Sequence, residues 1–424
     1  MSTTREFQDM INEYVPNELL REEFVKRDYV ITKCEKDDGW NTGNLVVPFR
    51  GAQASSVKYG GLTDASDVAS SKYVRGNVAA AKEVWATLKF NHRDLMEHGK
   101  ISEQNLLKLL PDEVDDMMDY FKSVVSTNFL NGAHVVNVLD GGSDDDPANG
   151  LIKVDRPDKL NIGQKLYFKD DDTALSAAGY VKTIDINTQL VLVVTARGGN
   201  TGLNLSLYTE AANAKGYNDG AATDAFASMR DALLSAANGG SSSLYGQTKT
   251  AYTYLQAINI NGSAITSANM LSEIFKAVTK TRIFGKGAAN EVLMSLTNLG
   301  YCMAIIEAQK GSFNVIPESK KASQYGWMEI TVGSVTGMPL KLVGIQEADD
   351  DVIMIVDWRG IKFYSNGFFQ KRKGPNGTEY FEVRETSGYS YIIDICLFGE
   401  LVVQRPSYCG IIYGIDVAAA EGSA

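Results

Sequence analysis

The chain is short of the residues that most enzymes and metal proteins rely on. It has only three histidines, His92, His98 and His134, in 424 residues, which leaves few candidates for a His-based triad or metal site. His92 and His98 sit six residues apart beside a strand end and a turn, where a solvated role is the simpler reading. The four cysteines, Cys34, Cys302, Cys396 and Cys409, lie far apart or in apolar runs. They form no Cys-x-x-Cys pair and are too few to staple a chain of this size, so they read as buried thiols. No run reaches the roughly 18 consecutive apolar residues that a bilayer span requires. The start, MSTTREFQDM, lacks the apolar core of a signal peptide, and the expectation is a soluble protein made in a cytoplasm. An excess of cations is also missing. Lys and Arg number 41 against 52 Asp and Glu, a formal charge of −11, which repels polyphosphate and argues against a general nucleic-acid binder. Nor is there a Gly-x-x-x-x-Gly-Lys-Ser/Thr phosphate loop or a Gly-x-Ser-x-Gly elbow. The nearest approach to a dinucleotide loop, Gly285 and Gly287 in IFGKGAAN, lacks a third glycine and follows a helix. The acidic triplets Asp144–Asp146, Asp170–Asp172 and Asp349–Asp351 lack the calcium-loop pattern and read as solvated turns. No catalytic residue, cofactor or metal is expected.

What is present is ordinary globular composition, 44% hydrophobic and 22% charged, in a chain long enough for two or three compact units. Its clearest element is PDEVDDMMDYFKSVVSTNFLNG, Pro111 to Gly132. Val114, Met117, Met118, Phe121, Val125 and Phe129 fall at steps of three and four and make one apolar stripe on a helix. Pro111 fits the first helical position, the following carboxylates suit the positive end of the dipole, and Asn131-Gly132 is a stop. At 1.5 Å per residue this is a rod of about 30 Å.

Ahead of it, Glu6 to Ile31 reads as a short helix and an extended arm. Asn44–Phe49 is a strand candidate, Gly51–Gly76 is small and polar, and Asn77–Phe90 reads as the returning strand. A hairpin with so little apolar substance is marginal in water by itself, so its partner is expected to be another chain. After the helix, DGGSDDDPANG (Asp140–Gly150) is a linker. LIKV, KLYF, GYVKTIDI, QLVLVVTA and LNLSLY between Leu151 and Tyr208 give a small all-β module. Helices follow at Thr223–Asn238, at Ser267–Ile283 with Ser267 as cap, and near Asn298–Gln309. Period-two strands then run from Met328 to Ile415, so the fold class is α+β. Lys371, Arg372 and Lys373 form the one tight basic cluster and suit an acidic patch on a neighbouring subunit.

This order of parts resembles the tailed-bacteriophage major capsid proteins of the Hong Kong phage type. VVPFRG (Val46–Gly51) with KYGGLTDA resembles the outgoing strand and tip of that family's extended loop, and EVWATLKFNHRDL (Glu83–Leu95) its return. The helix ending at Asn131-Gly132 resembles the spine helix. MRDALLSAANGGSSSLYGQTKTAYTYLQA (Met229–Ala257), GMPLKLVG, DWRGIKFY and LFGELVVQRPSYCGIIYG resemble the helix, glycine loop, central strands and closing strand. The resemblance spans most of residues 6–415, and the β module has no counterpart in the minimal fold. It implies an arm at 1–35, an extended loop at 36–95, and a peripheral domain at 96–139. An inserted all-β domain would occupy 140–210, a peripheral and axial helix-sheet domain 211–400, and a terminal strand and tail 401–424. It also implies a non-enzymatic shell protein that forms hexamers and pentamers around packaged double-stranded DNA. Assembly would take place in the host cytoplasm, with a separate scaffolding protein and a portal as partners and a decoration protein as a further candidate. Lys58 and Lys72 have no matched acceptor for a covalent cross-link, which is therefore not expected. Candidate inter-subunit contacts are Arg50, Lys58, Tyr59, Lys72 and Arg75 on the loop, with Lys371, Arg372 and Lys373. An encapsulin-like nanocompartment shell and a secreted surface-layer or adhesin subunit are the alternatives.

Overall fold

Asp28 caps the first helix, α1 (Tyr29–Lys33), its carboxylate accepting the Ile31 N–H at 2.7 Å. The computed structural model describes residues 24–40, 43–52, 72–78, 81–91, 103–139, 145–169, 175–208, 214–221, 225–285, 287–308, 316–317, 327–332, 339–365, 369–373, 381–385 and 388–417. Two units divide the chain, Met1–Lys122 with Ala227–Ala424, and Ser123–Phe226. In the first unit, α1 buries Tyr29, Val30 and Ile31. Arg27 ahead of it reaches Asp115 at 2.8 Å and Asp119 at 2.7 Å, and Phe24 packs on Phe121. Residues 24–33 therefore pack on the first unit.

Strand β1 (Glu35–Asp37) is followed by β2 (Leu45–Ala52) and β3 (Lys72–Val78), which pair antiparallel as a two-stranded ribbon with a bulge between Arg50 and Ala52. β4 (Lys82–Asn91) comes next. The expected return strand at Asn77–Phe90 is corrected here: Lys72–Val78 returns to β2, and β4 pairs elsewhere. Period two identifies strands but not their partners.

Helix α2 (Glu103–Leu130) is longer than expected, and Pro111 lies inside it rather than at its first position. Val114, Met118, Phe121, Val125 and Phe129 are each 7% exposed or less, the stripe read from the sequence. The N–H groups of Asn131 and Gly132 both reach the Thr127 carbonyl, and Gly132 turns away with φ +121°.

The second unit is a closed barrel. β5 (His134–Leu139), β6 (Leu151–Val154), β7 (Lys165–Lys169), β8 (Gly179–Asp185), β9 (Leu190–Val194) and β10 (Lys215–Asn218) close in the order β10-β5-β6-β9-β8-β7. Its interior is filled by Val136, Ile152, Val154, Leu166, Phe168, Val181, Val191 and Val193. The strand expected at Leu203–Tyr208 is absent. Leu203 and Leu205 instead turn their side chains into this core from a loop, so their apolar alternation signals burial without a ladder.

Back in the first unit, α3 (Met229–Leu233) is shorter than the helix expected over Thr223–Asn238. Ser228 caps it, and the Lys249 ammonium donates to the carbonyls of Asp231 and Leu234 at its end. β11 (Ser243–Leu244) and β12 (Gln247–Thr248) form a tight hairpin turning through Tyr245 (φ +48°) and Gly246 (φ +78°). Then come β13 (Ile258–Asn261), α4 (Met270–Gly285), β14 (Glu291–Ser295), α5 (Leu296–Ala308), β15 (Ile316–Pro317), β16 (Trp327–Val332), β17 (Leu340–Ile345) and β18 (Val352–Val356). β19 (Ile361–Tyr364), β20 (Phe369–Lys371), β21 (Phe381–Glu385), β22 (Gly388–Val403) and β23 (Gly410–Tyr413) complete the chain. Helix α4 starts at Met270, three residues past Ser267, and Asn269 just ahead of it accepts the Thr266 N–H at 2.8 Å.

A seven-stranded mixed sheet runs β13-β23-β18-β14-β17-β16-β15. Its core joins Ile274 and Val278 of α4, Leu299 and Cys302 of α5, and Val292, Leu342, Ile353 and Ile412 of the sheet. A second sheet is organised around the 16-residue β22, which pairs with β4, β20, β21 and β19 along its length. The class is α+β, as expected.

Candidate assembly surfaces

The ribbon has two unlike faces, because successive side chains of a strand point opposite ways. Val47, Phe49, Val74 and Val78 are buried, while Val46 and Tyr73 are 55% and 68% exposed. Phe49 stacks on Tyr245 with ring centroids 5.7 Å apart. Gly76 makes room for it, since a Cβ there would lie 2.1 Å from the Phe49 ring. The Asn77 N–H donates to the Tyr245 carbonyl, and Gln247 donates to the Arg75 carbonyl. The base of the loop therefore grips its own chain, which corrects the expectation that only a neighbour could hold it. Arg75 is exposed on the outer face. In the ribbon Arg50 stands opposite Tyr73 and Lys72 opposite Ala52, and Lys58 and Tyr59 lie outside the described residues.

The basic cluster divides by strand parity. Lys371 is 5% exposed and turns inward, leaving Arg372 and Lys373 at the surface. Arg372 lies 3.6 Å from Asp394 and 5.9 Å over the Trp85 ring. Trp85, 45% exposed on β4, donates its indole N–H to Glu83. Glu83, Trp85, Gln370, Arg372, Lys373 and Phe398 line an open depression of about 470 Å³. Trp85 is not among the candidate contacts read from the sequence, although it is exposed beside Arg372. Its signal was present, because Trp85 shares a parity with Glu83, Thr87 and Lys89, a lone large aromatic on a polar face.

Buried charge elsewhere serves the fold. Glu291 accepts the Tyr29 hydroxyl at 3.0 Å and the Trp358 indole N–H, with Lys33 at 3.7 Å. Burial beside these carboxylates pushes the Tyr29 phenol well up. Asp349 and Asp351 are not merely solvated: Arg230 binds them at 3.2 and 2.6 Å. Burial pushes all four cysteine thiols up to about 12, which makes them unreactive at neutral pH. Glu400, 4% exposed, accepts the Ala227 and Leu401 N–H groups through one oxygen. Burial outweighs those bonds and pushes its carboxyl up to about 7. Among the described residues no group of three or more His, Cys, Asp or Glu is placed to hold a metal, and no helix is long and apolar enough to cross a membrane.

No known family profile matches the sequence, and no curated protein matches it. Among solved structures, the chain is similar to the capsid of Myoviridae Phage XM1, at 9% identity over 91% of each chain and a TM-score of 0.38. It is also similar to the capsid of the native GTA particle, at 8% identity over 91% of this chain and 90% of that one, with a TM-score of 0.44. A third likeness is to the SrpI encapsulin of Synechococcus elongatus, at 8% identity over 96% of this chain and 89% of that one, with a TM-score of 0.40.

Proposed function

We propose that this chain is a shell-forming major capsid protein of the tailed-phage type. Copies assemble as hexamers and pentamers into a closed virion head around packaged double-stranded DNA, in the host cytoplasm, with a separate scaffolding protein and a portal as partners. The observation that carries this reading is the ribbon β2–β3. It is anchored at its base by Phe49 and leads into a segment, 53–71, made almost wholly of small and polar residues, with an outer face that presents Val46, Tyr73 and Arg75. Exposed apolar side chains on a two-stranded ribbon call for a covering surface, and a neighbouring copy supplies one. Obligate contacts of this kind bury on the order of 2,000 Å² or more. The spine helix after the ribbon, the helix-sheet unit and the closing strand after Arg405-Pro406 keep the order of parts of that family.

The test is to express the full chain and size it. Megadalton particles support the reading, and a monomer or dimer at high concentration overturns it. Replacing Gln53–Ser71 with Asn-Gly joins Ala52 to Lys72, which are already paired. That variant should melt like the full chain and form no shells. Double-stranded DNA inside native particles separates a virion from a cargo-enclosing compartment.

A further inference from the structure

Helix α5 has the composition of an interior helix and the position of a surface one. Its sequence, LTNLGYCMAIIEA, carries Glu307 as its one charged residue. A helix apolar around its circumference belongs inside a protein or an interface. α5 buries Asn298, Leu299, Cys302 and Ile306 and packs Tyr301, Met303 and Ile305 partly buried against the core, which leaves one outer face open. Leu296 is 40% exposed, and Gly300, Ala304 and Glu307 are exposed on the same outer face. A Cβ added at Gly300 would meet nothing within 4 Å, so this face is open and made of small side chains, with a carboxylate at one end.

The end of α4 offers an exposed apolar pair with charge of the opposite sign beside it. Ile283 and Phe284 are 67% and 65% exposed, on a helix terminus held firmly because Gly285 lies against the Ser407 carbonyl, 2.3 Å from where a Cβ would be. With Phe275, Lys276 and Lys280 they line an open depression of about 470 Å³. One face has projecting apolar side chains flanked by lysines, and the other has small side chains beside a carboxylate.

We propose that these two faces meet between copies. The end of α4 in one subunit packs on α5 of the next, with Ile283 and Phe284 over Gly300 and Ala304, and Lys280 beside Glu307. The contact is heterologous, so each subunit uses one face on each side and successive copies run around a ring. The inference rests on the self-assembly reading above and gives it a specific lateral contact.

The test uses two full-length chains, Lys280→Cys and Glu307→Cys, purified apart, mixed and mildly oxidised. The four native thiols are buried and do not compete. Disulfide-linked heterodimers should form at least tenfold over either chain alone. Ala304→Arg and Phe284→Asp, both at exposed positions, should abolish oligomers while the melting temperature stays unchanged. Lys280→Glu and Glu307→Lys should each weaken association about tenfold, and the double exchange should restore it. Cross-linked rings without closed shells would sink the shell reading and keep this contact. Closed shells without the cross-link, formed equally well by Ala304→Arg, would sink this contact and keep the shell. A chain that stays monomeric overturns both.

Discussion

The ribbon β2–β3 and the strand β4 are neighbours in sequence and are held to the first unit in opposite ways. The ribbon is held by the side chains of its inner face, Val47, Phe49, Val74 and Val78, of which Phe49 stacks on Tyr245 with Gly76 behind it, and by a few hydrogen bonds. β4 is held along its whole length by β22, in register from Asn91 against Ser390 to Lys82 against Gly399. A face held by side-chain packing yields when its largest side chain is removed, whereas a laddered strand distributes the load over many backbone bonds.

Phe49→Ala tests this packing directly and should have the largest effect. Removing a fully buried aromatic typically costs about 3–5 kcal/mol. Here the loss should be local: hydrogen exchange at the Asn77 amide should accelerate by orders of magnitude while the amides of β4 stay protected. Equal deprotection of both would mean that ribbon and strand unfold together, and the contrast would fail.

The second test lies at the end of the ladder, where β22 exchanges β4 for β19 and Glu400 is buried. Its carboxyl is raised to about 7 in the folded chain from an unfolded value near 4.5. The folded state therefore binds the extra proton between those values, so stability falls as pH rises from about 4.5 through 7 and is flat above. Glu400→Gln keeps an oxygen for the Ala227 and Leu401 N–H groups and cannot ionise. Thermal melts should show it more stable than the parent at pH 8, by on the order of 2 kcal/mol, and equal to it at pH 4.5. A parallel offset at both pH values would remove Glu400 as the cause.

Much of this arrangement could be read from the residues, and the failures have a common origin. The stripe from Val114 to Phe129 and most strands of the seven-stranded sheet follow from periodicity, a local property. What periodicity does not carry is the partner. Lys82–Asn91 alternates as a strand should, but nothing in it distinguishes β2 from β22 as its mate, and β22 lies about three hundred residues away. Leu203 and Leu205 alternate as well and make no ladder. One contact that holds the ribbon, Phe49 to Tyr245, joins two aromatics from segments that read separately as loop and strand. Lys371 was grouped with Arg372 and Lys373 by adjacency, although strand parity turns it inward. The helix near Asn298–Gln309 was read from the sequence, but not the open face that Gly300, Ala304 and Glu307 give it.

Tyr245→Phe is a milder probe of the same contact, because it keeps the stacked ring and removes the hydroxyl. That hydroxyl donates to the Leu401 carbonyl at 3.2 Å and accepts the Val403 N–H at 3.0 Å. Losing a buried pair of this kind costs about 1–2 kcal/mol. The loss should appear at the Val403 amide and spare Asn77, whose acceptor is the Tyr245 backbone.

The smallest effect is expected at Trp85. Its ring is half exposed, and β4 is held by its backbone, so Trp85→Ala should cost under about 1 kcal/mol, the usual range for a surface side chain away from the core. The opposite holds for association if the depression beside Arg372 is covered by a neighbouring copy. There a partly exposed tryptophan over an arginine is the type of group that dominates an interface when truncated. Particle yield should then fall steeply while the melting temperature of the free subunit stays put. A variant that assembles like the parent would place the depression outside the contact surface and leave the ribbon's outer face, Val46 and Tyr73, as the part of this region that a neighbour covers.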